Sequence, residues 1–425
     1  MAARRIVVTG LGAICALGHT AGETWEAARE GRGAIALHPF DPGPNGPPGH
    51  AFPAALVAGD VVGAVEATLG RRVGASLDPF TLYALKAARE ALGHAGLIGA
   101  PALERRTAVV FGHGFGGVHT LEASYERFFG QKAARMHPLS VPKVMVSAPV
   151  SAIAMEFAVK GPVFAVSSAC ASSGHAIAQG AGLIAAGQAN IALVGGSEAI
   201  ATPGSLRGWE GLQAMTATAC RPFSAGRDGM AIGEGGGALV LEALDHAEAR
   251  GASILGELTG AGLSSDAFHW TQPSVEGAVA AMTAACQEAG VLDAPQILIS
   301  THGTGTPVGD AGEAAAIHAV FGVRAKAHPV IATKSAHGHL IGASTAVQAV
   351  IALIALEARS APPILNWLGP DPDCDLDLVL GEARTIDADV LLLNAFAFGG
   401  LNTSLVFKRW REDTASRRQS HRAQR

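Results

Sequence analysis

The stretch that decides the fold runs from Val163 to Ala199: VFAVSSACASSGHAIAQGAGLIAAGQANIALVGGSEA. Between Gly161 and Ser197 there is no Asp, Glu, Lys or Arg. An apolar run, VFAV, passes through small hydroxyl residues to Cys170, then into an Ala/Gly-rich run and a second apolar run, IALVGG. That order reads as strand, turn, helix, strand. A helix with no charge along its length has no solvent face, so it is expected inside the molecule, held close by Gly174, Gly180, Gly182 and Gly187. Cys170 then falls near the helix N-terminus, where unpaired N–H groups and the macrodipole favour a thiolate and lower its pKa. The position fits a nucleophile; it also fits an inert core cysteine.

Outward from this segment, short β-rich runs alternate with Ala-rich helical runs, the pattern of an α/β protein. RIVVTG, TAVVFG, ALVLE, ILIST, PVIAT and DVLLLNAF read as buried strands. LDPFTLYALKAAREALGHAG reads as a helix capped by Asp78, with Phe80, Ala84, Ala87 and Ala91 on one face. SVEGAVAAMTAACQEAG reads likewise, from a Ser274 cap to a Gly290 stop. HPFDPGPNGPPGHAFP is expected to be a surface loop. VFAVSSACASSG and VLLLNAFAFGGLN each run from an apolar strand into a small-residue turn, in opposite halves of the chain. That echo fits a duplicated α/β unit. The basic end, from residue 411 to residue 425, has no apolar period and reads as a solvated tail.

Composition excludes several classes. Only 16% of the 425 residues are charged and 54 are glycine, against about a quarter charged in ordinary domains. This favours a large interior, tight turns and an oligomer interface. A formal charge of −5 argues against nucleic-acid binding. Thr9 and Gly10 end the first apolar run too early for a signal peptide, and Gly, Gln, Asn and His interrupt every other run long enough to span a membrane. Five scattered cysteines without a CxxC pair fit neither a disulfide framework nor a zinc site. A cytoplasmic protein is expected. GLGAICALG, from Gly10 to Gly18, lacks the third glycine of a dinucleotide fingerprint and has no acidic ribose partner.

A reactive thiol needs partners that handle protons. Among 16 histidines any single one is weak evidence. Two stand in similar settings: His302 in STHGTGTPVGDAGE, just past the strand ILIS, and His339 in TKSAHGHLIGAS, just before a Gly/Ala-rich helix. Each sits in a glycine-rich turn beside a helix start, so the two fit one site.

SSACASSG, HGTGTPVGD, KSAHGH and NAFAFGG stand in the order and spacing of the elongating β-ketoacyl-acyl-carrier-protein synthases of the thiolase superfamily. CRPFSAGRDGMAIGEGGGALVLE and SSDAFHWTQP resemble the same family, which extends the likeness to about Arg409. HGTGT, KSAHGH and NAFAFGG also look like its specialised branch, including nodulation-type and polyene-type synthases. The resemblance implies a thiolase-like α/β fold whose two duplicated halves form a five-layered αβαβα core. Residues 1–250 would be the half with the nucleophilic cysteine and 251–410 the half with the two histidines.

The resemblance also implies roles. Cys170 would take an acyl chain from a carrier thioester. His302 and His339 would donate hydrogen bonds to the malonyl thioester oxygen as CO2 leaves. Cys170 and Phe398 N–H groups would form an oxyanion hole, and Lys334, paired with Glu313, would order the histidine turns. Thr271, Thr304 and Thr306 would bind the phosphopantetheine arm, which the acyl carrier protein supplies; no resident cofactor is implied. Phe398 would be a gate, in a loop where Ala397 and Leu401 replace a glycine and a threonine of the family pattern. Phe115 and Trp209 would line and shorten the acyl pocket. Gln213 replaces a carrier-docking arginine, while Arg71 and Arg72 either receive the acidic carrier or form a plain solvated pair. The expected partners are acyl carrier protein, malonyl and acyl thioesters and a second subunit, in a homodimer or a heterodimer with a related chain. The competing function is a catalytically silent chain-length-factor subunit; such partners lose the cysteine, which is present here. A degradative thiolase would need a second cysteine near NAFAFGG, and a starter-condensing enzyme an Asn at position 339; both fail.

Overall fold

In the computed structural model, residues 4–40, 50–61, 63, 77–100, 103 and 106–411 are described. Ten strands form the main sheet: β1 (Ile6–Cys15), β2 (Thr107–Gly112), β3 (Val163–Val166), β4 (Ile191–Glu198), β5 (Gly235–Ala243), β6 (Gly256–Ser265), β7 (Leu298–Ser300), β8 (Val330–Ile331), β9 (Val390–Ala397) and β10 (Leu401–Lys408). Six helices pack on it: α1 (Pro79–His94), α2 (Ala148–Glu156), α3 (Ser172–Ala185), α4 (Val275–Ala289), α5 (Pro307–Phe321) and α6 (Ser344–Glu357).

The strand order is 3-2-4-5-1-6-10-9-7-8. Its two halves are the same arrangement. In the first, β3, β2 and β4 run parallel, and β5 is antiparallel to both β4 and β1. In the second, β8, β7 and β9 run parallel, and β10 is antiparallel to both β9 and β6. Each first, second and third strand of a half is followed by a helix in the same order. Among the described residues of the main sheet, three pairs, Ile6 with Leu258, Val7 with Glu257 and Val8 with Gly256, join the halves edge to edge. The chain is therefore an internal duplication.

The period-2 alternation of the strands separates the layers. Ala192 and Val194 of β4, Leu391 and Leu393 of β9, and Leu405 and Phe407 of β10 face a common cluster with α3 and α6. Ile191 and Leu193 face the other way, against α1 and α2. Leu392 and Val406 face α4 and α5. The result is five layers, helices–sheet–helices–sheet–helices, as the resemblance implied. In α6 only Ile354 and Glu357 escape burial, the all-round apolar pattern of a helix covered on every side.

Two glycine pairs show how closely the outer helices approach. A Cβ on Gly10 or Gly12 would lie 2.2 or 2.1 Å from a carbonyl oxygen of α1. A Cβ on Gly260 or Gly262 would lie 2.2 or 1.9 Å from one of α4. TGLGA in β1 and TGAGL in β6 are thus the true sequence echo, at equivalent places in the two halves.

Several expectations need correcting. The counterpart of β3 is β8, not β9, so VFAVSSACASSG and VLLLNAFAFGGLN are not equivalent segments. Both end a strand in small residues, and that similarity is local. The stretch read as a loop around 38–53 has strands at both ends, Ala36–Phe40 and His50–Ala55, paired antiparallel. Helix α1 is capped by Asp78, whose side chain accepts from Phe80 N–H, and Gly290 ends α4 with φ +64°. Ser274 occupies its predicted position but makes no side-chain cap bond. Within α3, Gly174 and Gly180 abut Thr403 and Val194; Gly182 meets open space and Gly187 ends the helix with φ +71°. The helix is buried at its start and partly exposed towards its end. The tail beyond residue 411 lies outside the described residues, as do Arg71 and Arg72.

Candidate active site

The sequence folds β3 into α3 through a turn that puts Cys170 at the helix entrance. Ala169 takes φ +48°, an unfavourable conformation for a residue with a Cβ. The Ser172 hydroxyl holds it there, donating to Ala169 O at 2.6 Å while accepting from Ser168 N–H at 2.9 Å. Cys170 is 4% exposed. The N–H groups of Phe398 and of Cys170 itself point at its sulfur.

The thiol is not the low-pKa group its helix position suggested. Burial pushes it up to about 11, and the Glu198 carboxylate adds to the rise; Lys334 and the two N–H groups offset only part. Desolvation of the thiolate outweighs the helix end here.

His302 and His339 reach the same place from the second half. His302 follows β7. Its N–H and that of Gly303 donate to the two carboxylate oxygens of Glu313 at 2.8 and 2.9 Å. Its carbonyl accepts from Lys334 Nζ at 2.5 Å, and Nζ lies 3.5 Å from its Nδ1. His339 precedes α6. Its N–H donates to Ala231 O at 2.7 Å and its carbonyl accepts from Gly233 N–H at 2.9 Å, stitching it to the first half. Its Nδ1 accepts from Ile341 N–H at 3.2 Å and lies 2.8 Å from Ser344 Oγ.

These partners assign the tautomers. A backbone N–H and an ammonium only donate, so both Nδ1 atoms carry lone pairs and both Nε2 atoms carry the hydrogen. Burial, then the charge of Lys334, holds both imidazoles well below the usual histidine range, so each is neutral. Two neutral N–H donors therefore face the space beside the thiol.

Lys334 is wholly buried, and burial lowers it to about 8 against the opposing pull of Glu313. The expected Lys334–Glu313 pair is not a direct contact. Among the described residues Glu313 receives the two N–H groups of the His302 turn and Asn394 Nδ2, while Lys334 holds the His302 carbonyl and Gln348 Oε1. The two charges grip one turn from opposite sides. Gln348 in turn donates to Thr301 O at 2.7 Å.

A pocket of about 300 Å³ is lined by the buried Cys170, His302 and His339 together with Thr271, Thr304 and Thr306. Thr304 and Thr306 hydroxyls are 3.0 Å apart. Trp270, 84% exposed, stands at the mouth, and its carbonyl accepts from Gly399 N–H at 2.8 Å. Phe398 lines the pocket just before Gly399 and Gly400, which have φ +80° and +71°. Asp266 N–H donates to Gly400 O, and Asn402 Nδ2 donates to Asp266, tying this loop to the mouth. No group of metal-ligating side chains occurs among the described residues.

Phe115 and Trp209 do not line this pocket. They stand behind it. Trp209 is buried in the apolar cluster that contains Cys170, and its ring stacks on Phe398 at 6.1 Å. Phe115 is half exposed, 5.8 Å from Trp209 on the other side. Sequence reasoning missed Ser344, Gln348, Asn394 and Glu198. Three of them had a signal: Ser344 closes TKSAHGHLIGAS, Asn394 opens NAFAFGG, and Glu198 is the first charged residue after the uncharged segment from Gly161 to Ser197.

Residues 3–247 match the N-terminal domain of β-ketoacyl synthase, and residues 255–367 match its C-terminal domain. Nodulation protein E of Rhizobium sp. (strain N33) is 39% identical over 411 residues, 95% of this chain and 99% of that protein. 3-Oxoacyl-[acyl-carrier-protein] synthase 2 of Staphylococcus aureus (strain COL) is 35% identical over 416 residues, 96% of this chain and 99% of that one. The solved ishigamide ketosynthase/chain length factor has a TM-score of 0.87 at 32% identity, covering 96% of this chain and all of its own. The chain belongs to the β-ketoacyl synthase family.

Proposed function

We propose that this β-ketoacyl synthase joins an acyl group held on Cys170 to the two-carbon unit of malonyl-acyl carrier protein, releasing CO2. The observation that carries the residue assignment is the pair of neutral Nε2–H donors, on His302 and His339, set beside a buried thiol. In the first step the thiol attacks a carrier thioester. The acyl group moves to sulfur, and the thiol proton leaves on the phosphopantetheine thiol of the departing carrier. Phe398 and Cys170 N–H groups hold the tetrahedral oxyanion.

In the second step malonyl carrier enters, its arm beside Thr271, Thr304 and Thr306. The carboxylate leaves as CO2 and its bonding pair becomes an enolate, whose oxygen takes both imidazole N–H bonds. The enolate carbon attacks the acyl-cysteine. Collapse returns the sulfur as a thiolate, which takes one proton from solvent, and gives 3-oxoacyl carrier two carbons longer. Neutral histidines suit this role, because they donate hydrogen bonds to a developing charge without having to lose a proton first.

Residues 1–250 and 251–410 serve as the cysteine half and the histidine half. The functional unit is a dimer: β3 is a sheet edge, Phe164 is exposed on it, and Met155 of α2, which packs against β3, and Val141, just before α2, are exposed beside it, between 37% and 77%. The relatives' names support a product of fatty-acid or specialised lipid and polyketide synthesis. No described helix is long and apolar enough to cross a membrane; with five free thiols, the cytoplasm is the proposed location. The test is intact-mass measurement after incubation with acyl carriers, before and after malonyl carrier is added. Cys170 should gain and then lose the acyl mass. Labelling elsewhere, or a label that malonyl carrier does not discharge, refutes the assignment.

A further inference from the structure

Glu198 ends β4 and is fully buried. Among the described residues no cation pairs with it; only backbone N–H groups satisfy its carboxylate. Oε2 accepts from Gly114 at 2.6 Å and from Gly342 at 3.1 Å, and Oε1 accepts from Phe115 at 3.3 Å. Gly114 and Phe115 belong to the loop after β2. Gly342 belongs to the turn between His339 and α6, in the other half of the molecule. The two backbones touch here: a Cβ on Gly342 would lie 2.4 Å from Gly114 N, and one on Gly114 would lie 2.8 Å from Oε2. The turn is itself strained, with Ile341 at φ +43°.

We propose that Glu198 is a positioning residue that locks the Phe115 loop to the His339 turn, so that acyl-chain acceptance and decarboxylation depend on one another. This rests on the function proposed above. Burial pushes the Glu198 carboxyl up to about 7 while the converging N–H groups hold it down, so it carries its charge above that pH, including the alkaline range of the alkylation test below. An amide would not replace it: glutamine has one oxygen for three N–H groups and would turn its own NH2 towards at least one of them. Both ends of the clamp carry reaction parts. Phe115 leads through Trp209 to Phe398, and Ile341, next to Gly342, donates to His339 Nδ1 and so fixes its tautomer. The carboxylate also raises the Cys170 thiol.

Two variants separate reach from charge. Glu198→Gln keeps the length and removes the charge; Glu198→Asp keeps the charge and shortens the arm by one methylene. Three readouts are taken on the intact protein: decarboxylation of malonyl carrier, the longest acyl carrier that labels Cys170, and the pH midpoint of Cys170 alkylation by iodoacetamide. Both variants should lose about tenfold or more in decarboxylation, as expected for a lost buried hydrogen bond beside the site, and should blur the chain cut-off. Only Glu198→Gln should move the alkylation midpoint down. A folded Glu198→Gln with wild-type decarboxylation and cut-off overturns the proposal. If neither variant folds, amide exchange of the wild-type protein decides. Gly114, Phe115 and Gly342 should then exchange slowly and together, and fast exchange at any one of them overturns it. A wild-type protein inactive in both acylation and decarboxylation would instead refute the function proposed above.

Discussion

His302 and His339 stand edge to face, ring centroids 5.4 Å apart at 83°. Each turns Nδ1 to a protein donor and Nε2 to the pocket. In the function proposed above the pair serves one oxygen, so its members should not act additively. His302→Ala and His339→Ala should each slow CO2 release from malonyl carrier about 10²- to 10³-fold. The double variant should be scarcely worse than either single one. Acyl transfer to Cys170 should stay measurable in all three. Losses that multiply in the double variant would show that the rings serve different steps.

With its thiol raised to about 11, Cys170 is protonated at neutral pH. Alkylation by iodoacetamide, followed by peptide mass spectrometry, should stay slow through pH 9 and climb above it. Cys170→Ala should abolish acyl labelling. A midpoint below 9 would mean that the helix end wins over desolvation after all.

Phe115 contacts Trp209 from a half-exposed position behind the pocket, and the role proposed for its ring is that of a movable stop for the acyl chain. Each buried methylene contributes about 0.8 kcal/mol, so a blocked channel forfeits several of them at once and adds strain. Phe115→Ala should therefore extend the longest chain that acylates Cys170. An unchanged cut-off would move the stop to Trp209 or to the Ala397–Leu401 loop.

His337 is buried, its Nε2 against Thr333 Oγ1 at 2.9 Å, and burial then Lys334 holds it at about 3. The unfolded chain takes that proton near 6.5 and the folded chain only near 3. Stability present above pH 6.5 is thus lost as pH falls through that window. At about 1.36 kcal/mol per pH unit the loss by pH 5 is about 2 kcal/mol. Tm should drop between pH 7 and pH 5, and His337→Asn should drop less. Equal drops would exclude His337 as a contributor.

A dimer should form through the β3 edge. Light scattering at micromolar concentration should give twice the chain mass, and Val141→Asp together with Met155→Asp should shift it towards the monomer. A wild-type monomer would remove the interface.

Most of the secondary structure was legible because strands with two-residue alternation and capped amphipathic helices declare themselves locally. Asp78 and Gly290 mark the ends of α1 and α4 in sequence as in structure. Cys170, His302 and His339 stood out by their turns beside helix starts and took their roles from the family motifs, and the fold brings them together. What escaped depends on contacts between distant residues. Glu198 meets Gly342 across 144 positions, and nothing near either residue announces the other. The thiol was misjudged for the same reason: the helix end is visible in sequence, whereas the surrounding layers that desolvate the sulfur are not.

Cys170 stands where the first half enters its central helix α3, and His339 stands where the second half enters α6. These are one address in two copies of one unit. In the function proposed above, one copy puts a nucleophile there and the other a hydrogen-bond donor, so that neither address would serve alone. The molecule is thus two unlike copies of one unit joined through the stretch between Ala243 and Gly256. A cut in the connection between Ala243 and Gly256 should leave two fragments, each with the inner face of its sheet uncovered. Activity would return only when they find each other.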